Sequence, residues 1–224
     1  MFFCGPVVGK LYDNYGPRYL LLGGTFLHVF GLMMASISHQ YYQLVLAQGI
    51  CSPIGASAIF YPAMSTLTTW FFKKRAFAFG IIAAGSSLGG VIFPIMVQRL
   101  IAEVGFGWAM RIAAFLILAL MIFANLTIKS RIPPHPKPWS LMEFVRPLQE
   151  LPFVLTASGS FFFFMGMFLP INYIILEATS VGMGAGLAQY LVSILNAASL
   201  FGRTIPGYVA DKIGRFNMMV IMCL

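Results

Sequence analysis

Six stretches of this chain, 19–38, 43–70, 76–101, 106–128, 151–177 and 185–208, are apolar over the length needed to cross a bilayer. An α-helix rises about 1.5 Å per residue, so roughly 20 apolar residues traverse the ~30 Å hydrocarbon layer. Lipid offers the backbone no hydrogen bonds, so each stretch must satisfy its own by forming a helix. Gly and Pro recur inside the stretches, as membrane helices tolerate. Composition removes the alternatives. Of the 224 residues, 59% are hydrophobic and only 9% charged, whereas soluble domains carry about 25% charged residues. The same hydrophobicity excludes intrinsic disorder. The expected fold class is all-α: a polytopic membrane helix bundle, integral and multi-pass, in the plasma membrane or an internal membrane, with the lipid bilayer as its partner.

The polar breaks carry the topology. Lys10 and Arg18, then Lys73, Lys74 and Arg75, then Lys129, Arg131, Lys137 and Arg146, then Lys212 and Arg215 fall in alternate connections, 11 of the 14 basic residues. The intervening connections, near His39, Glu103 and Ser180, have only Arg99 and Arg111 at their edges. Lysine and arginine are retained on the cytoplasmic side during insertion, which places loop 10–18 there. The net charge of +8 thus belongs to membrane topology, and no nucleic acid is expected as a partner. Cys4, Cys51 and Cys223 lie in apolar runs without CxxC spacing, so neither a disulfide framework nor a metal site is expected. No nucleophile–base pair is visible, so no catalytic residue, cofactor or enzymatic activity is expected.

Residues 129–150 hold five of the 13 prolines and four basic residues. They read as a cytoplasmic linker between 1–128, part of an N-terminal bundle, and 151–224, part of a C-terminal one. Residues 1–9 and 216–224 are apolar but too short to span, so each reads as part of a helix. No basic segment precedes the apolar start, so no cleavable signal peptide is expected.

A repeat ties the two parts together. Gly9-x3-Asp13-x2-Gly16 with Arg18 recurs as Gly207-x3-Asp211-x2-Gly214 with Arg215, offset by 198 residues (207 minus 9). Six spans separate the copies and both fall on the basic side. Six-helix repeats of like orientation belong to a large transporter architecture whose halves are related by an axis along the membrane normal.

These motifs resemble the signature loops of the major facilitator superfamily between helices 2 and 3 and between helices 8 and 9. YGPRYLLLGG, LAQGICSPIG, TWFFKKRAFAFGI, AAGSSLGGVIFPIM and GRTIPGYVADKIGRFN further resemble its fungal monocarboxylate-transporter-like branch. In that register the chain runs from the end of helix 2 to the start of helix 9. Helix 1 and helices 10–12 lie outside it, and Pro17 stands where the family often has a basic residue. The resemblance implies secondary transport of a small organic solute, such as a monocarboxylate-like anion, by alternating access. The rival expectation is a truncated fragment or isoform that transports nothing.

Candidate roles follow residue by residue. The motif glycines permit a tight turn and close helix approach. Asp13 and Asp211 either pair with a nearby cation or sit at a helix N-terminus, where the dipole favours an anion. Gly9, Asp13, Gly16, Arg18, Gly207, Asp211, Gly214 and Arg215 then form a cytoplasmic gate, or merely mark loop ends. Arg203 is the one cation inside a span, a costly placement and functional by default. In the family resembled, an arginine here pairs with the substrate carboxylate, which its planar fork matches; the alternative is snorkelling to the interface. Proton-coupled animal members commonly carry an aspartate one turn before this arginine, where this chain has Ser199, which argues against a coupling proton. Asn172, Tyr173, Asn196 and Tyr61 are further substrate-binding candidates, or else interhelical hydrogen bonders. Gly85 and Gly89 form G-x-x-x-G, expected to draw helices together. His28, without a second ligand near, is expected to be a packed histidine.

Overall fold

The computed structural model describes residues 2–136, 138 and 142–223. Lys137, counted above with the linker, lies outside them, as does the side chain of Cys223. Among the described residues the chain is all-α. The long elements are α1 (Gly5–Tyr15), α2 (Pro17–Ser36), α3 (Tyr41–Trp70), α4 (Arg75–Thr127), α5 (Leu151–Ser180), α6 (Leu191–Ile213) and α7 (Arg215–Cys223). Short turns lie at Met142–Val145, Arg146–Gln149 and Ala185–Ala188.

Element α4 has 53 residues, about 80 Å of helix and far more than one bilayer crossing. Gly105, at φ 79° and ψ 166°, divides it into arms 75–104 and 106–127. That backbone conformation is essentially open to glycine alone. Gly16 (φ 76°, ψ −178°) between α1 and α2, and Gly214 (φ 98°, ψ 142°) between α6 and α7, break the chain in the same manner. The helix of the last expected span runs from Leu191 to Ile213, about five residues beyond the apolar run that suggested it, and among the described residues it is not one of the four helices long and apolar enough to cross a membrane. Gly182, Gly184 and Gly186 keep 181–190 out of a continuous helix, and Gly182 itself has φ 91°.

Packing runs on small side chains. Among the described residues, ten of the thirteen buried apolar side chains are alanine, while Phe26, Phe123, Leu126 and Phe161 are more than 60% exposed. This inverts a soluble core: bulk faces lipid, and small residues let helix backbones meet. Helix α2 crosses α3 at Gly24 and Gly31, where an added Cβ would lie 2.8 Å from the carbonyls of Gly55 and Ala47. His28 is packed there as expected, with Nδ1 2.8 Å from Ser52 Oγ. Helix α3 widens to π-helix over Val45–Cys51, and the Ser52 N–H donates to Ala47 C=O. Pro53, lacking an N–H, cannot continue the ordinary ladder at this point.

Tertiary contacts gather the basic connections at one end. The His135 N–H donates to Asp13 C=O (3.0 Å). Trp70 Nε1–H donates to Lys129 C=O (2.8 Å), and the Arg131 N–H to Thr69 Oγ1 (3.3 Å). At the other end Arg111 Nε–H donates to Ser36 Oγ (3.2 Å) and stacks over Trp108. Helix α5 has no buried residue; its Phe161–Phe164 run is exposed.

Candidate functional site: the seam between α4 and α6

The first arm of α4 lies antiparallel along α6, and small residues on α4 make the close approach possible. Ala76, Gly80, Ala83, Ser87 and Gly90 recur at alternating spacings of four and three, a single stripe on a helix. Asn196, Ser199, Arg203, Gly207 and Asp211 form the facing stripe. A Cβ added at Gly80 would lie 2.6 Å from Arg203 C=O, and one at Gly207 would lie 2.9 Å from Ala76 C=O. Gly90 makes room for the amide of Asn196, whose Nδ2 donates to Val192 C=O (2.9 Å). The G-x-x-x-G pair named from the sequence does not take part. A Cβ on Gly85 would meet nothing within 4 Å, and one on Gly89 only Phe93 of its own helix. At 100° per residue both glycines point away from the stripe.

Polar contacts are spaced along the seam. At its basic end the Asp211 carboxylate accepts two backbone N–H groups, from Ala76 (Oδ1, 3.0 Å) and Phe77 (Oδ2, 2.9 Å). Helix α4 begins at Arg75, so these are among its unsatisfied first-turn donors, at the positive end of its dipole. Seven residues further into α4, about 10 Å along its axis, Arg203 Nη1–H donates to Ala83 C=O (2.8 Å) and to Ser86 Oγ. The guanidinium therefore turns across to α4. One turn deeper Ser87 Oγ donates to Ser199 Oγ (3.4 Å). The side chains of Gln98 and Gln189 meet at the far end.

The first copy of the motif sits elsewhere. Asp13 is exposed and Gly9 has open space around it. Over this loop lies the start of the linker: Pro134 packs on Gly16, and Tyr12 Oη–H reaches Ser130 Oγ (3.4 Å). A cavity of about 640 Å³ lies beneath, lined by Lys10, Tyr12, Asp13, Thr68, Ser130 and His135 among others. Lys10 is buried in its wall. Arg18 and Arg215 are exposed.

Of the substrate-binding candidates, Arg203 and Asn196 share the seam. Tyr61 lies against Gly5 of α1, while Asn172 and Tyr173 are exposed on α5. Ser86, the acceptor for Arg203, reads from the sequence only as part of a helix-packing run with Gly85, Ser87 and Gly89. The signal was its place in the run Ala83–Gly90, between Ala83 and Ser87 of a small-residue stripe that contains no charge to answer an arginine.

A sequence profile of the Major Facilitator Superfamily matches residues 1–224, the whole chain. MFS-type transporter 1 of Ophiocordyceps sp. (strain BCC 1869) is 62% identical over 223 residues, covering 100% of this chain and 50% of that protein. The fujikurins efflux protein of Gibberella fujikuroi is 50% identical over 224 residues, covering 100% and 48% respectively. The aspyridones efflux protein of Emericella nidulans is 43% identical over 220 residues, covering 98% and 44%. The chain thus spans about half the length of the curated relatives it matches. With apolar helices of membrane length, a repeated loop motif and a profile match from end to end, this integral membrane chain belongs to the major facilitator superfamily.

Proposed function

We propose that this chain works in a secondary transporter that moves small organic solutes by alternating access, with monocarboxylate-like anions as the solute class. Export is the direction carried over from the relatives named as efflux proteins. In this reading 1–128 and 151–224 belong to two bundles joined by the linker 129–150. The seam between α4 and α6 is where they slide and part.

The observation that carries the reading is the contact between Asp211 and the first turn of α4. It joins the acidic residue of a repeated loop motif to the opposite bundle through two hydrogen bonds and a dipole. A carboxylate cap of this kind is worth about 1–2 kcal/mol, strong enough to favour one state and weak enough to release. Arg203 supplies the positive charge for the solute carboxylate. Its present partners are neutral, so its charge is available to an anion. Ser199, a hydroxyl, does not titrate at physiological pH, so this helix offers no proton carrier one turn before the arginine.

Proteoliposomes containing the complete reading frame test this. Labelled organic acids should exchange across the membrane, with neutral amide analogues excluded, and Arg203→Gln should abolish the preference. Asp211→Asn should lower initial rate more than protein amount. Rates unchanged by Asp211→Asn at equal amounts would remove the gate, and equal handling of acid and amide would remove the anionic solute.

A further inference from the structure

Arg203 brings a full positive charge to the seam. Its guanidinium carries donors and no acceptor, and a cation inside a span must be answered. Here the answer comes from α4 as a closed triangle. Ser86 Oγ–H donates to Ala83 C=O (2.9 Å), which commits the hydroxyl proton and turns the oxygen lone pairs outward. Arg203 Nη1–H then donates both to that oxygen and to the same Ala83 carbonyl. Among the described residues no carboxylate pairs with Arg203. Gly80 allows the reach, since it lets the Arg203 backbone carbonyl sit directly on α4.

We propose that Ser86 is a positioning residue. It parks the Arg203 guanidinium across the seam while no solute is bound, and an organic carboxylate displaces it, so that loading the site unfastens α4 from α6. The second half of this rests on the reading of Arg203 as the solute's partner. The driving force is the difference between neutral and charged acceptors. A carboxylate takes two parallel N–H bonds from the guanidinium fork, each about twice as strong as those to a hydroxyl or peptide carbonyl. One residue thereby couples anion binding to seam opening. Ser87 and Ser199, one turn further in, lack a charge to offer the anion, so their separation reports the opening of the seam without competing for the ligand. Helix α6 then remains tethered to α4 at the basic end through Asp211.

Disulfide trapping next to the latch tests the idea. Ser87→Cys with Ser199→Cys, in the complete reading frame with Cys4, Cys51 and Cys223 replaced by serine, is oxidised in proteoliposomes and the rate of cross-linking measured. Benzoate is the anionic probe and benzamide its neutral control. In the parent, benzoate should slow cross-linking by about tenfold, matching a charge-assisted hydrogen bond exchanged at the latch, and benzamide should leave it unchanged. Adding Ser86→Ala should slow cross-linking without any anion and blunt the response to benzoate. Ser86→Thr, which keeps the hydroxyl, should restore both. If Ser86→Ala cross-links and responds like the parent, the positioning role is wrong. If Ser86→Ala loosens the seam while the parent ignores benzoate, the latch stands and the anionic solute falls.

Discussion

The two copies of the Gly-x3-Asp-x2-Gly motif share a sequence and differ in their surroundings. In both, the second glycine ends a helix at positive φ: Gly16 accepts this between α1 and α2, Gly214 between α6 and α7. In both, its N–H closes the last turn, on Tyr12 C=O (2.8 Å) and Ala210 C=O (3.0 Å). The first glycine and the aspartate diverge. Gly207 presses on Ala76 and Asp211 caps α4, whereas Gly9 faces open space and Asp13 is exposed, the linker's His135 N–H donating to its backbone carbonyl. The turn is thus a property of the motif itself. Contact with another helix is a property of what stands opposite.

Substitutions that divide these roles sharpen the comparison. The largest effects should come at the shared position: Gly16→Val and Gly214→Val each force a β-branched residue to positive φ, at about 2–3 kcal/mol. Both should lower the thermal midpoint of the purified protein by similar amounts; if only one does, the turns are not equivalent. Gly207→Ala comes next. Its methyl would meet Ala76 C=O at 2.9 Å, displacing α6 from α4 at about 1–2 kcal/mol, within the range for overpacking. Gly9→Ala, in open space, should be neutral or stabilising in the same melt, because alanine favours helix.

The aspartates form the next pair. Asp211→Asn loses the charge on two hydrogen bonds to Ala76 and Phe77 and should cost about 1 kcal/mol. Asp13→Asn should cost less than about 0.5 kcal/mol, as exposed surface changes do. Hydrogen exchange at the Ala76 and Phe77 amides reads the difference: faster in Asp211→Asn, unchanged in Asp13→Asn. Equal protection in both variants would mean the cap contributes nothing. The smallest effect should be Gly85→Ala, within about 0.5 kcal/mol of the parent. Measurable weakening of cross-linking between α4 and α6 in that variant would contradict the stripe described here.

How much of this was legible beforehand depends on range. The spans were readable because a helix in lipid satisfies its backbone within about 20 consecutive residues, so hydropathy alone reports it. The last span was misplaced by a few residues because Ala185, Leu187 and Ala188 score as apolar, while Gly182, Gly184 and Gly186 keep that stretch out of a continuous helix. The G-x-x-x-G reading at Gly85 and Gly89 failed for a related reason. Spacing identifies a face of a helix, but a chain with glycines at 80, 85, 89 and 90 offers more than one face, and only the partner selects among them.

For Asp211, local chemistry left two possibilities, an ion pair or a helix N-terminus, and the choice required knowing that the start of α4 lies beside it. Arg203 is similar. Its cost inside a span was plain from the sequence, but its partners lie 117 and 120 residues away, and serine and alanine carry no sequence signature as a guanidinium's acceptors. What this chain determines by itself is therefore everything set by short-range physics: the spans, the side that holds the cations, the paired turns and the family. What required the tertiary structure is which small residues touch, and hence where the carboxylate and the guanidinium are held. Helices in lipid are not driven together by apolar burial but select partners by backbone approach and polar contact between distant segments.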